Sequence, residues 1–320
     1  MKVSPKMTER LYSVDGLMLN VASTLVRDFR DNLNDPCFCS EFESALHIEP
    51  IARIRELSPA LSYDMDTPSF KAAYQLHSVM KRYRFENDTY SDLELKEKAV
   101  NSFLETQGRL AAQDLDSLDA KSQRVLDLAA RYIANVLGVY DDAEHRNLCR
   151  FGRKASVGVP ARLACEAARW ELPISGSREQ ISWFHSEMSE IACVQEYWAK
   201  QLDSDPNGSI YNETGSLTLT LVPKTFKSLR AIMPNTTIGS YQSYGLGEMI
   251  RKRLKRKGYD IRTLQQRHKY LACHASLDGN LTTADLSSAS DSITVALVER
   301  LFPADWFAIL KQSRIGRVTI

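Results

Sequence analysis

The stretch TTADLSSASDSITVAL (282–297) sets two carboxylates, Asp285 and Asp291, on either side of five small or apolar residues. Leu281 to Asp285 reads as a short strand, and the run after the serines reads as a helix through Leu301. Ser290 is then the expected N-cap and Asp291 an acid of the first turn, favoured there by free N–H groups and the helix dipole. Asp285 falls where a strand ends and its side chain meets solvent or a cleft. Each aspartate also has a purely structural reading, one capping its own turn and the other its helix. The bare turn adds something else: it lets a bulky anionic ligand come close to the backbone. A carboxylate there suits Mg²⁺, which takes one or two carboxylates together with phosphate oxygens. A second carboxylate one turn away would reach another part of that ligand, such as a ribose hydroxyl.

The chain has a net charge of only +1, but the balance is uneven. Twelve bases and two acids lie between Val222 and Tyr270, giving +10 there and leaving −9 for the rest. A concentration of this kind points to a polyanion. Lys224, Lys227 and Arg230 follow a period-two run, SLTLTLVPK (216–224), that reads as a strand. Arg251, Lys252, Arg253, Lys255, Arg256 and Lys257 fan over an expected helix from about 246 to 257, closed by Gly258. Leu246, Met249, Ile250 and Leu254 are its expected apolar face. Tyr241, Tyr244, Tyr259 and Tyr270 interleave with the bases, a pattern that serves base stacking or ordinary packing.

The first 210 residues read mainly as helices, at 69–85, 121–140 and 177–202, each with apolar residues at three-to-four spacing. In the second, Val125, Leu126, Leu128, Ala129, Ile133, Val136 and Leu137 form the stripe. Helices and strands without regular alternation give the class α+β. No run approaches the roughly 18 apolar residues of a membrane span, and the amino terminus has no secretory h-region, so a cytoplasmic protein is expected. Six cysteines are scattered. Cys37-x-Cys39 lacks a matching second pair, and neither it with His47 nor Cys149 with His145 makes a zinc set. All six read as ordinary reduced thiols.

LTTADLSSASDS (281–292) together with LFPADWF (301–307) resembles motif A of the replicase subunit of the small positive-strand RNA phages, the leviviruses. VPKTFKSLRAI (222–232) is similar to that family's motif F, carried here by Lys224, Lys227 and Arg230. GLGEMIRKRLKRKGYDI and the Gln-Arg run ending at Arg267 resemble its glycine-led basic helix. CRFGRKASVG (149–158) resembles a further element. The likeness is ordered from about 149 to 314, while residues 1–148 share helical texture only.

The resemblance implies an RNA-directed RNA polymerase with a right-hand fold. Residues 1–148 would be a helical amino-terminal or fingers region, 149–275 the fingers, and 276–320 the start of the palm. By it, Asp285 is the catalytic metal ligand, with the Leu286 carbonyl beside it. Asp291 and Ser290 lie near the incoming ribose. Lys224, Lys227 and Arg230 hold the triphosphate, and Arg251, Lys252, Lys255, Arg256 and Arg267 contact RNA. Implied with these are two Mg²⁺ ions about 4 Å apart, ribonucleoside triphosphates, and RNA template and product. Host elongation factors Tu and Ts, a ribosomal protein and the cytoplasm of a bacterial host also follow, with no membrane.

The family's Met-Gly-Asn and Tyr-Gly-Asp-Asp elements are absent from the sequence. The expectation is therefore an amino-terminal portion lacking the thumb and most of the palm, and inactive alone. Three other readings fit parts of the pattern. They are a non-catalytic RNA-binding protein using residues 224–269, a membrane-surface or localisation tract at RKRLKRK, and a metal-dependent phosphohydrolase drawing on Asp285, Asp291, His268 and His274.

Overall fold

The computed structural model describes residues 14–28, 66–83, 91–205, 207–284 and 289–320, with Arg30 and Ser40. It is a helix-rich α+β protein whose strands are short, at most six residues long among the described residues. The chain divides into two compact units, residues 1–104 with 221–232, and residues 105–220 with 233–320.

In the first unit, α1 (Val14–Asp28) packs on α2 (Thr67–Arg82). Leu19, Ala22 and Val26 are buried on one, and Ala72, Ala73, Leu76 and Met80 on the other, each set at helical spacing. Asp66 starts α2 by accepting the Ser69 N–H at 2.7 Å, with proline in the first turn. The helix expected at 69–85 thus runs from 67 to 82. Helix α3 (Asp92–Ala111) leads the chain toward the second unit.

The second unit is organised around one long helix, which the sequence placed at 246–257 and which in fact starts nine residues earlier. To reach it the chain forms α4 (Ala120–Leu137), α5 (Asp142–Leu148), β1 (Ile174–Gly176), α6 (Arg178–Met188), α7 (Ala192–Ser204), β2 (Tyr211–Glu213) and β3 (Leu217–Thr218). The single helix expected over 177–202 is two, α6 and α7. The apolar stripe continues across the break because Phe184, Met188 and Trp198 all enter the same core. β1 pairs in parallel with β2, Ile174 opposite Tyr211, with α6 and α7 as the crossover.

The run 216–224 is likewise not one strand. Leu217 and Leu219 donate to Arg317 and Thr319 in a parallel pairing with β6 (Val318–Thr319). Thr220 onward forms β4 (Thr220–Thr225), which pairs with β5 (Ser228–Ile232). One period-two pattern therefore serves two sheets. Pro223 is tolerated because a two-stranded ribbon leaves a free edge.

The central helix, α8 (Thr237–Arg256), carries Ile238 and Tyr241 into a core with Phe151, Ile174, Phe184 and Trp198. Its other half carries Leu246 and Met249 into a second core with Leu137, Trp306 and Ile309. Gly245 lets α5 close on it: a Cβ there would stand 2.5 Å from Cys149 Sγ and 2.9 Å from the His145 carbonyl oxygen. Thr236 caps α8 by accepting the Gly239 N–H at 3.0 Å and donates to buried Gln180 at 2.6 Å. Gln180, the capping-box residue of α6, also donates to the Gln312 carbonyl at 3.0 Å.

Two helices complete the unit beyond α9 (Ile261–Asp278): α10 (Val295–Leu301) and α11 (Ala304–Gln312). Trp306 of LFPADWF is fully buried, and its indole N–H donates to the Gly138 carbonyl at 2.9 Å. Burying a tryptophan contributes about 4–6 kcal/mol as an upper estimate. Asp305 accepts the Tyr140 N–H at 2.8 Å. α10 meets α4 through Arg300 and Asp127. That contact covers a face offset from Val125 and Leu128, which stay exposed although the stripe placed them in the core.

Candidate nucleic-acid interface

Residues 281–284, expected as the strand leading into Asp285, form no strand. A strand is defined by its neighbour, and none of the described strands pairs with this segment. Asp285 and Leu286 lie outside the described residues, as do Cys37, Cys39 and His47. Ser290 is not the N-cap of the following helix. Ser290–Ser292 is one 3-10 turn after Ala289, and α10 begins at Val295, where Thr294 caps it by accepting the Leu297 N–H at 3.1 Å. Thr294 takes that position because Ile293 is extended and breaks the helical path from Asp291. Asp291 is exposed and accepts a hydrogen bond from its neighbour Ser290 at 3.2 Å. Among the described residues no three His, Cys, Asp or Glu side chains converge to hold a metal.

Lys224, Lys227 and Arg230 stand together on one hairpin: in β4, in the Phe226–Lys227 turn, and in β5. The turn is held by the Phe226 N–H donating to the Lys81 carbonyl at 3.1 Å. All three cations are exposed and have no carboxylate partner among the described residues.

The cations of α8 fall into three groups. Arg253 is buried at 8% exposure; its Nε donates to the Leu137 carbonyl at 2.7 Å, Nη2 meets Glu144 at 2.8 Å, and the guanidinium lies over the Trp306 ring. It is therefore structural, which a count of charges cannot reveal. Arg251 pairs with Glu248, which also accepts Arg262 at 2.6 Å. Lys252 reaches Glu144 at 4.0 Å, and Lys255 meets Asp260 at 3.0 Å, the lysine holding the Asp260 carboxyl below its usual range. Lys257 donates to Asn135 at 2.7 Å. Arg256 on α8, and Arg267 and Lys269 on α9, are exposed without an acid partner among the described residues. A largely exposed pair such as Lys255–Asp260 adds little to stability.

The four tyrosines also separate. Tyr241 is core, and Tyr244 lies beneath Arg150. Tyr259 and Tyr270 are exposed. The pairing of Tyr270 with His274, ring centroids 4.2 Å apart, was hidden in the sequence, although the i, i+4 spacing inside a basic helix was its one available signal.

The remaining ionisable cluster is structural. Fully buried His145 is bonded on both ring nitrogens, to the Tyr140 hydroxyl at 2.7 Å and the Gln242 carbonyl at 2.9 Å. Burial pushes the Cys149 thiol up to about 12, so it stays protonated. Burial would also raise Asp142, but the hydrogen bonds from Arg146 and Trp183 outweigh it and hold the carboxyl low.

The first unit carries three cations on a hairpin, and the second carries Arg256, Arg267 and Lys269 on two helices, all without an acid partner among the described residues; each is a feature that a polyanion-handling protein presents. The chain belongs to the RNA replicase beta-chain family, whose model matches residues 29–320. It is 28% identical to the RNA-directed RNA polymerase beta chain of Enterobacteria phage GA over 271 residues, 79% of this chain and 48% of that one. To the corresponding chain of Enterobacteria phage fr it is 27% identical over 288 residues, 86% of this chain and 51% of that one. A shorter segment of 95 residues is 39% identical to the RNA-directed RNA polymerase subunit beta of Escherichia virus Qbeta. The chain thus spans about half the length of the GA and fr proteins. No helix among the described residues is long and apolar enough to cross a membrane.

Proposed function

We propose that this chain is the nucleotide- and RNA-engaging part of an RNA-directed RNA polymerase that copies a phage genome by template-directed ribonucleotidyl transfer. The observation that carries the proposal is the hairpin with Lys224, Lys227 and Arg230 exposed and, among the described residues, unpaired, in a chain matching the replicase family over residues 29–320. Three cations on one hairpin, unpaired among the described residues, cost nothing to leave in water, and they suit the charge of a triphosphate and of its leaving pyrophosphate. In this reading Asp291 and Ser290 meet the ribose, and Arg251, Lys252, Lys255, Arg256 and Arg267 meet RNA. Arg256 and Arg267 have no acid partner among the described residues to give up for it.

Asp285, with the Leu286 carbonyl, is the proposed catalytic carboxylate. The described residues offer no ligand set for Mg²⁺, so metal binding would rest on Asp285 and further oxygen ligands. The right-hand architecture, the partition into 1–148, 149–275 and 276–320, and action in the bacterial cytoplasm belong to the same proposal. So does association with elongation factors Tu and Ts and a ribosomal protein.

The test is template-directed incorporation of a labelled ribonucleotide by a replicase carrying this chain. D285N is expected to lower incorporation at least about 100-fold, the scale of losing a principal electrostatic group. Near-wild-type incorporation by D285N, or incorporation that needs no template, would overturn the proposal.

A further inference from the structure

Helix α9 (Ile261–Asp278) is anomalous for its length: none of its 18 residues is buried. Leu264, Leu271, Ala272 and Ala275 form a half-buried face, and the rest of the surface is open. About a third of a turn from that face runs a second stripe, Arg267, Tyr270, His274 and Leu277, at the i, i+3, i+7, i+10 spacing of neighbours along a helix. Tyr270 is 64% exposed and Leu277 82%. The helix sequence holds Arg262, Arg267 and Lys269 against one acid, Asp278, and of these Arg262 is already engaged by Glu248. Among the described residues this exposed aromatic pair packs against no core, and the guanidinium beside it has no acid partner. Together they have the composition that single-stranded nucleic acid recognises: π-faces for bases and cations for phosphates.

We propose that the stripe Arg267–Tyr270–His274 is a track for single-stranded RNA, Tyr270 and His274 stacking on unpaired bases while Arg267 meets a phosphate. Charge complementarity selects the occupant. An acidic protein segment would satisfy Arg267 but leave the paired rings without a flat partner, and duplex RNA keeps its bases stacked inside the helix. The track deepens the polymerase proposal, on which it rests, by moving strand contact from α8, whose bases are largely paired, to α9. It also gives that contact a stacking component.

The experiment is anisotropy of a labelled single-stranded RNA oligonucleotide titrated with the full 320-residue chain over a series of salt concentrations. Y270A is expected to weaken binding about 10-fold with an unchanged salt slope, because stacking releases no counterion. Y270W is expected to restore affinity. R267A should weaken binding and reduce the log–log salt slope by about 0.7, the value for one phosphate of a single strand. The substituted side chains are exposed, and circular dichroism verifies that each variant keeps its helices. Wild-type affinity in both alanine variants, with RNA still bound, overturns the track and leaves the polymerase reading standing. Equal, Tyr270-dependent binding of duplex RNA overturns the stacking assignment. A chain that binds no RNA overturns both.

Discussion

His145 has its protonation state dictated by two neighbours. The Gln242 carbonyl 2.9 Å from Nε2 can only accept, so Nε2 carries the hydrogen and Nδ1 accepts the Tyr140 hydroxyl proton at 2.7 Å. With that proton spent on His145, the hydroxyl cannot also donate to Asp142, 3.0 Å away. Burial lowers the His145 pKa from 6.5, while the Gln242 carbonyl and the Asp142 charge act the other way. The folded protein therefore binds that proton less readily than the unfolded chain. The contribution of His145 to stability is complete above pH 6.5 and is lost as pH falls through the lowered folded value. Urea unfolding should show the wild type losing stability relative to H145Q below pH 6.5, by at most about 1.4 kcal/mol per pH unit. An unchanged difference from pH 7 to 5 would refute the assignment. From the sequence, His145 could be paired only with nearby Cys149. Its actual partner, Gln242, lies 97 positions away, and no local pattern encodes that distance.

Helix α8 shows what periodicity discloses and what it conceals. Its apolar face was legible: Leu246 and Met249 are buried as their spacing requires. Its start was not, because TIGSYQSYG (237–245) is rich in glycine and serine and reads as loop until Thr236 caps it and two cores close around it. Nor could composition separate Arg253 from Arg256, three residues apart. R253A should cost about 3–5 kcal/mol, since it strips a buried partner from Glu144 and the Leu137 carbonyl. R256A, on an exposed side chain, should stay within about 0.5 kcal/mol. Thermal or denaturant unfolding of the two variants measures the contrast, and equal losses would mean that the burial of Arg253 has been misread. The same burial exempts Arg253 from RNA contact, while Arg256 remains available for it.

At the scale of the whole molecule, the class α+β and the basic character of residues 222–270 were legible because both are sums over many residues. The pairing of 217–219 with 317–319 was not, since each strand is too short to show a period. Motif LFPADWF was legible as a resemblance, and the structure supplies its physical role: a buried indole and a carboxylate that fix α11 against the end of α4. Of the strand expected at 281–285, residues 281–284 are described and form none, since no described strand pairs with them. The three hairpin cations, spaced three residues apart, were legible at once, and they have no carboxylate partner among the described residues.

The measurement that addresses the central claim most directly is photocrosslinking of an azido-ribonucleoside triphosphate to the chain, with the adducts located by mass spectrometry. A saturable adduct is expected on the 224–230 hairpin, competed by unlabelled ribonucleoside triphosphate and reduced about 10-fold or more in K224A/K227A, as the loss of charge-assisted phosphate contacts requires. Adducts that are not saturable, or that survive unchanged in the double variant, would contradict it.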